Sequence, residues 1–151
     1  MIRFADRSFY LAVVNPHDPA HAAAVAMARE FRGRVLTTES ILLELADAMT
    51  APPDRRAFVQ LFQSLAADPG LDVVPLSHDL WERGRLLYAD RPDKYWSLTD
   101  CISFVVMRDH KIAEALTGDH HFEQASLLKF HGKSVPQLRV SFGQQDGFVV
   151  E

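Results

Sequence analysis

Apolar residues follow two alternating patterns along this chain, short unbroken runs and longer stretches with helical spacing. The short runs have the length and composition of strands that are covered on both faces, as in a parallel sheet. They lie at residues 2–5, 35–37, 71–75, 111–116 and 127–130. The stretches with helical spacing cover residues 8–14, 19–31, 40–49, 54–67, 77–89 and 99–110, and a last short one ends near residue 126. Because strands alternate with helices, the pattern predicts a three-layer α/β/α sandwich with a mostly parallel sheet of about five strands.

Cap and turn residues mark several helix ends. Asp18 and Pro19 predict a helix start, with the aspartate as N-cap and the proline at the first helical position. The Pro52–Pro53 pair predicts a break before the helix over 54–67. Apolar residues recur in that helix at helical spacing, which predicts a stripe that is buried in the core or in a subunit interface. Its members are Phe58, Leu61, Phe62 and Leu65.

The pattern weakens toward the C-terminus. The segment QLRVSF, residues 137–142, alternates between polar and apolar positions and predicts an edge strand, although a loose tail fits this region equally well. We therefore expect one domain over residues 1–130 and a C-terminal extension over residues 131–151.

Composition narrows the class of protein. A chain of 151 residues with 48% hydrophobic and 24% charged residues is typical of one soluble globular domain with a sizeable core. The formal charge of −4 argues against nonspecific coating of nucleic acid and leaves room for a local basic groove. The single cysteine, Cys101, excludes an internal disulfide and fits a reducing cytosol. No apolar run approaches membrane-spanning length, so we expect a cytoplasmic protein without a membrane partner.

Four carboxylates stand out by their position along the pattern. Asp6 follows the first strand, Glu44 lies in the helix over 40–49, Asp100 begins the helix over 99–110, and Asp119 follows the strand over 111–116. The three aspartates each precede a helix, so each has an alternative role as an N-cap worth about 1 kcal/mol. Ser97 and Asp100 also have the spacing of a capping box. Open α/β sheets bind ligands at the edge formed by the carboxyl ends of their strands, where we expect Asp100 and Asp119 to meet.

Glu44 is the least easily explained of the four. It shares a helix face with Ile41 and Ala48, and a lone charge on an apolar face is costly to bury. Other carboxylates cannot pair with it while all are ionised, but a divalent cation neutralises the group. Oxygen ligands favour Mg²⁺ or Mn²⁺. The alternative is that Glu44 reaches solvent at the edge of its helix.

Four segments carry these carboxylates: DRSFYLA from Asp6, LTTESILLEL through Glu44, SLTDCISFVVM around Asp100 and ALTGDHHF around Asp119. In order, spacing and flanking apolar residues they resemble the PIN-domain family, especially the VapC-type toxin ribonucleases. The resemblance covers about residues 2–130. It departs from the family at Arg7, where Thr or Ser is more common, and this leaves Ser8 as the nearby hydroxyl.

The resemblance implies that Asp6, Glu44, Asp100 and Asp119 form one acidic pocket for Mg²⁺ or Mn²⁺. Asp6 and Asp100 would be the most direct ligands, and Ser8 and Thr99 would support the site by hydrogen bonds. The implied function is metal-dependent endonucleolytic hydrolysis of RNA with water as nucleophile, as the toxin of a type II toxin–antitoxin pair. A homodimer and a cognate antitoxin are the implied protein partners. Two alternatives are a PIN nuclease of RNA processing without an antitoxin and an inactive RNA- or protein-binding module.

Cations and aromatic residues are the candidates for binding single-stranded or loop RNA, with ordinary solvated surface as the alternative for each cation. They are Arg7, Arg91, Lys94, Arg108, Tyr95 and Trp96. The histidines lack the ligand spacing of a zinc site, and His120 and His121 are interpreted as polar residues at a helix start. A phosphorelay receiver is disfavoured because Asp72 lies at the start of a predicted strand, not at its exit.

Overall fold

The fold is that of a computed structural model, which describes residues 1–125, 129–130, 133–134 and 139–140. The strands are β1 (Ile2–Ala5), β2 (Arg34–Thr38), β3 (Leu71–Val74), β4 (Glu114–Leu116), β5 (Lys129–Phe130), β6 (Lys133–Ser134) and β7 (Arg139–Val140). The helices are α1 (Arg7–Val14), α2 (His21–Glu30), α3 (Glu39–Ala48), α4 (Pro52–Ala67), α5 (His78–Asp90), α6 (Leu98–Asp109) and α7 (His121–Ala125). Strands and helices thus alternate along most of the chain, as predicted.

The main sheet is parallel and has the strand order β3-β2-β1-β4-β7. Four of its strands have three to five residues, and the two-residue β7 lies at the edge beside β4. The predicted α/β class with a parallel sheet flanked by helices is confirmed. A strand is present at Lys129–Phe130, within the predicted 127–130, but it pairs antiparallel with Lys133–Ser134 in a separate two-stranded sheet, so its expected place in the main sheet is wrong. Residues 127 and 128 lie outside the described part of the chain.

The position of β7 falls within the segment QLRVSF, for which an edge strand was one of the two predictions. The other residues of that segment lie outside the described ranges. The proposed division at residue 130 stays a prediction.

Some element ends differ from the predicted ones for local reasons. The helix expected from Asp18 begins at His21, with Ala20 as N-cap, because the Asp18 carboxylate and carbonyl accept hydrogen bonds in a preceding turn. The Pro52–Pro53 pair lies inside the first turn of α4, where the missing N–H groups have no helical partner to lose. The strand expected over 111–116 is shortened to β4 because the chain turns at Lys111, whose φ is 54°.

The core surrounds α6, in which every residue from Cys101 to Met107 is buried. A helix buried all round lies between other elements, and α6 packs against α3, α5 and α7. The stripe predicted on α4 is not buried: Phe62 is 49% exposed, and the other three members are partly buried against the core. The reason is that α4 lies at the periphery and contacts the core along one edge. An interface role for the stripe stays a prediction.

None of the helices in the described ranges combines the length and the apolar character needed to cross a membrane.

Candidate active site

The neighbouring strands β1 and β4 end side by side at the carboxyl edge of the sheet. From β1 the chain continues to β2 on one side, whereas β4 lies on the other side, so the strand order reverses between β1 and β4. Ala5 and Leu116, the last residues of the two strands, are paired, and the Asp6 N–H donates to the Leu116 carbonyl at 3.2 Å. Asp6 and Thr117 therefore leave the sheet side by side, at the place where open α/β sheets bind ligands.

Two hydroxyl groups hold the carboxylate of Asp6. Ser8 Oγ and Thr117 Oγ1 both donate to Asp6 Oδ2, the former at 2.8 Å. Each hydroxyl accepts a backbone N–H in turn, at 2.9 Å, Ser8 from Gly118 and Thr117 from Asp119. The Ser8 N–H completes the arrangement by donating to Asp6 Oδ1 at 3.3 Å, as an N-cap contact of α1. The two hydroxyls thus link the backbone N–H groups of residues 118 and 119 to the buried carboxylate of Asp6 by hydrogen bonds.

Thr117 was missed in the sequence as a site residue. Its hydroxyl is fully buried, and its partner Asp6 is 111 residues away. In the sequence it precedes a Gly-Asp pair and is indistinguishable from a turn residue. The available signal was its place directly after a predicted strand that ends at the ligand-binding edge.

Burial raises the pKa of Asp6 above its ordinary value. The hydrogen bonds from Thr117 and Ser8 oppose this rise, and the negative charges of Asp119 and Asp100 add to it. Burial likewise raises the pKa of Asp100; the Ser97 N–H opposes the rise, the charge of Asp119 adds to it, and His121 opposes it. The structure thus brings Asp6, Asp100 and Asp119 within electrostatic reach of one another.

Asp100 is both a capping residue of α6 and a carboxylate of the candidate site. It forms the capping box of α6: its backbone N–H donates to Ser97 Oγ at 3.0 Å, and its Oδ2 accepts the Ser97 N–H at 2.9 Å. The same Oδ2 lies 3.1 Å from Nδ1 of His121. The cap therefore fixes the carboxylate at the helix start, with its side chain turned toward α7.

The histidine at the start of α7 connects two of the aspartates. His121 Nδ1 lies 3.1 Å from Asp100 Oδ2 and 3.4 Å from Asp119 Oδ1, and the His121 N–H donates to Asp119 Oδ1 at 2.9 Å. Among the described residues, Asp119, His120 and His121 place one ligand atom each within 4.8 Å of one another. His121 was assigned only a helix-start role from the sequence; its imidazole in fact enters the site.

Glu44 is paired with a cation of the protein. Its Oε2 lies 3.7 Å from Arg7 Nε, and its side chain is 34% exposed. Contrary to the expectation, burial does not force Glu44 onto a metal ion, because the residue keeps contact with solvent and with Arg7. Its role as a metal ligand stays a prediction, as does the supporting role of Thr99, whose carbonyl accepts a hydrogen bond from Ser103 Oγ at 2.9 Å.

The two aromatic residues among the candidates for RNA binding differ in their exposure to solvent. Trp96 is only 4% exposed and packs edge-on against Phe104 at 5.0 Å, so its prediction as a stacking residue is wrong. Tyr95, its neighbour, is 94% exposed.

Three of the candidate cations form ion pairs with carboxylates of the protein. Arg7 pairs with Glu44, Arg91 with Asp93 and Arg108 with Asp109.

The donor set fits a divalent cation. Burial and the negative charge of Asp119 both raise the pKa of Asp6 and of Asp100, and a doubly charged ion removes the repulsion among these carboxylates. Carboxylate oxygens suit Mg²⁺ and Mn²⁺, and an imidazole nitrogen beside them is compatible with Mn²⁺. Asp6, Asp100 and Asp119 are the residues that would hold the ion.

Fold and site together define an α/β protein with a carboxylate cluster at the point where the strand order reverses. The family model of the PIN domain matches residues 3–127. The chain therefore belongs to the PIN-domain family, as the resemblance predicted. No curated protein matches the chain in sequence.

The solved structures that are similar in fold include the following three. VapC20 of Mycobacterium tuberculosis, a sarcin–ricin loop cleaving toxin, has 26% identity and a TM-score of 0.74 over 83% of this chain and 95% of its own. The structure of VapBC2 from Rickettsia felis, bound to a DNA fragment from the VapBC2 promoter, has 11% identity and a TM-score of 0.63 over 95% of this chain and 100% of its own. FitAcB of Neisseria gonorrhoeae has 14% identity and a TM-score of 0.59 over 91% and 96%. The last two show the fold alone.

Proposed function

We propose that the protein is a metal-dependent endoribonuclease that acts as the toxin of a type II toxin–antitoxin pair. The observation that carries the proposal is the placement of Asp6, Asp100 and Asp119 together at the carboxyl ends of β1 and β4 and the start of α6. Family membership supports a nuclease. The similarity to VapC20, which cleaves the sarcin–ricin loop, supports RNA as the substrate and a toxin as the biological role.

The residues of the site have separate tasks in the proposed reaction. Mg²⁺ or Mn²⁺, when bound, neutralises charge on the scissile phosphate and lowers the pKa of a bound water. Asp6, Asp100 and Asp119 would hold the ion, and Glu44 would complete the site or orient water. Ser8 and Thr117 favour the ionised form of Asp6 by donating to it, which opposes the effect of burial on its pKa. Because an acidic pocket repels RNA, the ion and the nearby cations must reverse the local field.

The protein partners follow from the same proposal. The similarity to VapC20, a toxin, supports a cognate antitoxin as the partner of the proposed toxin. A homodimer is the further expectation, with the exposed stripe of α4 as the candidate contact. Co-expression with the reading frame next to the gene, followed by purification, tests the antitoxin. A stable, inactive complex supports the toxin role, whereas failure to bind favours an RNA-processing nuclease.

Cleavage of defined RNA tests the catalytic proposal. Purified protein is incubated with single-stranded and hairpin RNA in Mg²⁺ or Mn²⁺, with and without EDTA. We expect cleavage that EDTA stops and that is lost in Asp6→Asn and Asp100→Asn. Asp47→Asn, at an exposed position of α3, is the matched control and should cleave normally. Cleavage that survives EDTA or both site substitutions would refute the mechanism.

A further inference from the structure

The loop between α5 and α6, residues 91–97, presents one aromatic side chain to solvent and buries the next. Tyr95 is 94% exposed, the highest value among the large apolar and aromatic side chains of the described residues. Trp96 is buried beneath it. An aromatic ring held almost entirely in water contributes nothing to the core, so its packing does not explain its place in the loop.

Aromatic contacts anchor this loop to α6 and, through it, to α7. Trp96 packs on Phe104 of α6 at 5.0 Å, and Phe104 packs on Phe122 of α7 at 5.1 Å. The guanidinium of Arg91 lies 5.1 Å, and the ammonium of Lys94 5.8 Å, from the centre of the Trp96 ring. The backbone that carries Tyr95 is thus anchored to the same two helices that carry Asp100 and His121.

Tyr95 is also close to the carboxylate cluster along the chain. Ser97, two residues further on, donates its backbone N–H to Asp100 Oδ2 at 2.9 Å. Two residues span at most about 7 Å, so the Cα of Tyr95 lies within about that distance of the Cα of Ser97. This span corresponds to about two stacking steps of a nucleic-acid strand, each about 3.4 Å. A base stacked on Tyr95 would therefore belong to a nucleotide one or two positions from a phosphate bound at Asp100.

The loop has the chemistry of a platform for an unpaired base. Base–aromatic stacking is favourable and tolerant of sequence because every base has a π-face. Arg91 is paired with Asp93, to which it donates two hydrogen bonds at 2.8 Å, so the ammonium of Lys94 supplies the net positive charge within residues 91–97. A positive surface beside a stacking ring attracts the backbone that the acidic pocket repels.

We propose that Tyr95 stacks on the nucleobase of a nucleotide adjacent to the scissile phosphate, which restricts cleavage to RNA in which that base is unpaired. The inference rests on the proposed ribonuclease function and names the substrate class of the same site. It assigns Tyr95 to substrate selection and leaves the chemistry to the carboxylates. Duplex RNA, whose bases are already stacked, is a poor substrate on this basis.

RNA binding tests the proposal separately from cleavage. In an Asp6→Asn background, which keeps the RNA intact, affinity for a hairpin RNA is measured by fluorescence anisotropy for Tyr95→Ala, Tyr95→Phe and Tyr88→Ala. Tyr88, on α5, is 51% exposed and serves as the matched control. We expect Tyr95→Ala to weaken binding about 5- to 150-fold, the equivalent of 1–3 kcal/mol of lost stacking. Tyr95→Phe keeps the ring and should bind like the parent, as should Tyr88→Ala.

A single abasic nucleotide, moved along the hairpin, locates the stacked base. At one position next to the cleavage site it should weaken binding of the parent but not of Tyr95→Ala, because both changes remove the same contact. Equal binding by Tyr95→Ala and the parent, or an equal loss in Tyr95→Phe, overturns the stacking role.

The two proposals fail in different ways. If the wild-type protein cleaves RNA and Tyr95→Ala cleaves it equally well, only the stacking role is refuted. If the wild-type protein binds RNA through Tyr95 but never cleaves it, the nuclease function is refuted and the contact stands. Absence of both binding and cleavage overturns both proposals. Thermal unfolding of each variant confirms that this exposed position leaves the fold intact.

Discussion

Replacing Thr117 by valine removes one oxygen atom from the centre of the site and nearly preserves the shape of the side chain. The hydroxyl is fully buried, donates to the carboxylate of Asp6 and accepts the N–H of Asp119 at 2.9 Å. Valine can do neither. Asp6 is then left with the Ser8 hydroxyl and the Ser8 N–H as donors.

The size of the effect follows from the two lost hydrogen bonds. A hydrogen bond to a charged group contributes about 1.5–3 kcal/mol and a neutral one about 0.5–1.5 kcal/mol, so Thr117→Val should lower the free energy of unfolding by about 2–4 kcal/mol. For a domain of this size each kcal/mol lowers the Tm by about 2–4 °C, which gives a total of roughly 4–16 °C. Thr117→Ser keeps the hydroxyl and loses one methyl group, and should cost about 1 kcal/mol.

The assay combines urea unfolding with a pH–rate profile. The Thr117 hydrogen bond favours ionised Asp6, so its loss should raise the pKa of Asp6 further and move the acid limb of RNA cleavage to higher pH. Thr117→Ser should leave that limb in place. The reasoning is refuted if Thr117→Val is as stable as Thr117→Ser, or if the acid limb of the two variants coincides.

Three further predictions concern the carboxylates. Because burial raises the pKa of Asp6, the folded metal-free protein binds more protons than the unfolded chain just above the ordinary value of 3.8, and its stability should fall as the pH rises through that window. Asp6→Asn should remove this component, which the difference between the two urea-unfolding curves measures across pH; identical pH dependence would contradict the assigned cause. Mg²⁺ or Mn²⁺ at 100 times its Kd should stabilise the protein by about 2.7 kcal/mol, and a thermal shift that persists in Asp6→Asn and Asp100→Asn would place the ion elsewhere. Glu44→Gln should reduce cleavage while changing stability by less than about 1 kcal/mol, since its pair with Arg7 is partly exposed, whereas Asp47→Asn on the same helix should change neither quantity; equal activity of the two variants would remove Glu44 from the site.

The sequence alone was sufficient for the class of fold and for most element positions. Covered strands and amphipathic helices differ in the period of their apolar residues, and this local signal does not depend on the rest of the molecule. Helix starts with a side-chain cap were also predictable, as Asp6 and Ser97 show. Asp100 and Asp119 could be placed at one edge because parallel strands end at the same edge of a sheet, and the family resemblance added Asp6.

Among neighbouring residues with the same sequence pattern, only the tertiary structure decided which are buried and which enter the site. Adjacent residues such as Tyr95 and Trp96 have the same local signal, and only packing against Phe104 determines which one is buried. The contacts of Thr117 with Asp6 and of His121 with Asp100 join residues distant in sequence, so no pattern within one segment contains them.

The difference between local pattern and packing of distant segments also explains the predictions that were wrong. Glu44 was expected to be buried because its helix face is apolar, but burial depends on what covers that face, and Arg7 and solvent reach it. The segment at 127–130 was expected to add a strand to the main sheet, but β5 pairs with β6 and β7 lies beside β4, since membership of a sheet depends on which segment reaches its edge. Element type is thus encoded by local periodicity, whereas neighbours, burial and the completed site follow from packing between distant segments.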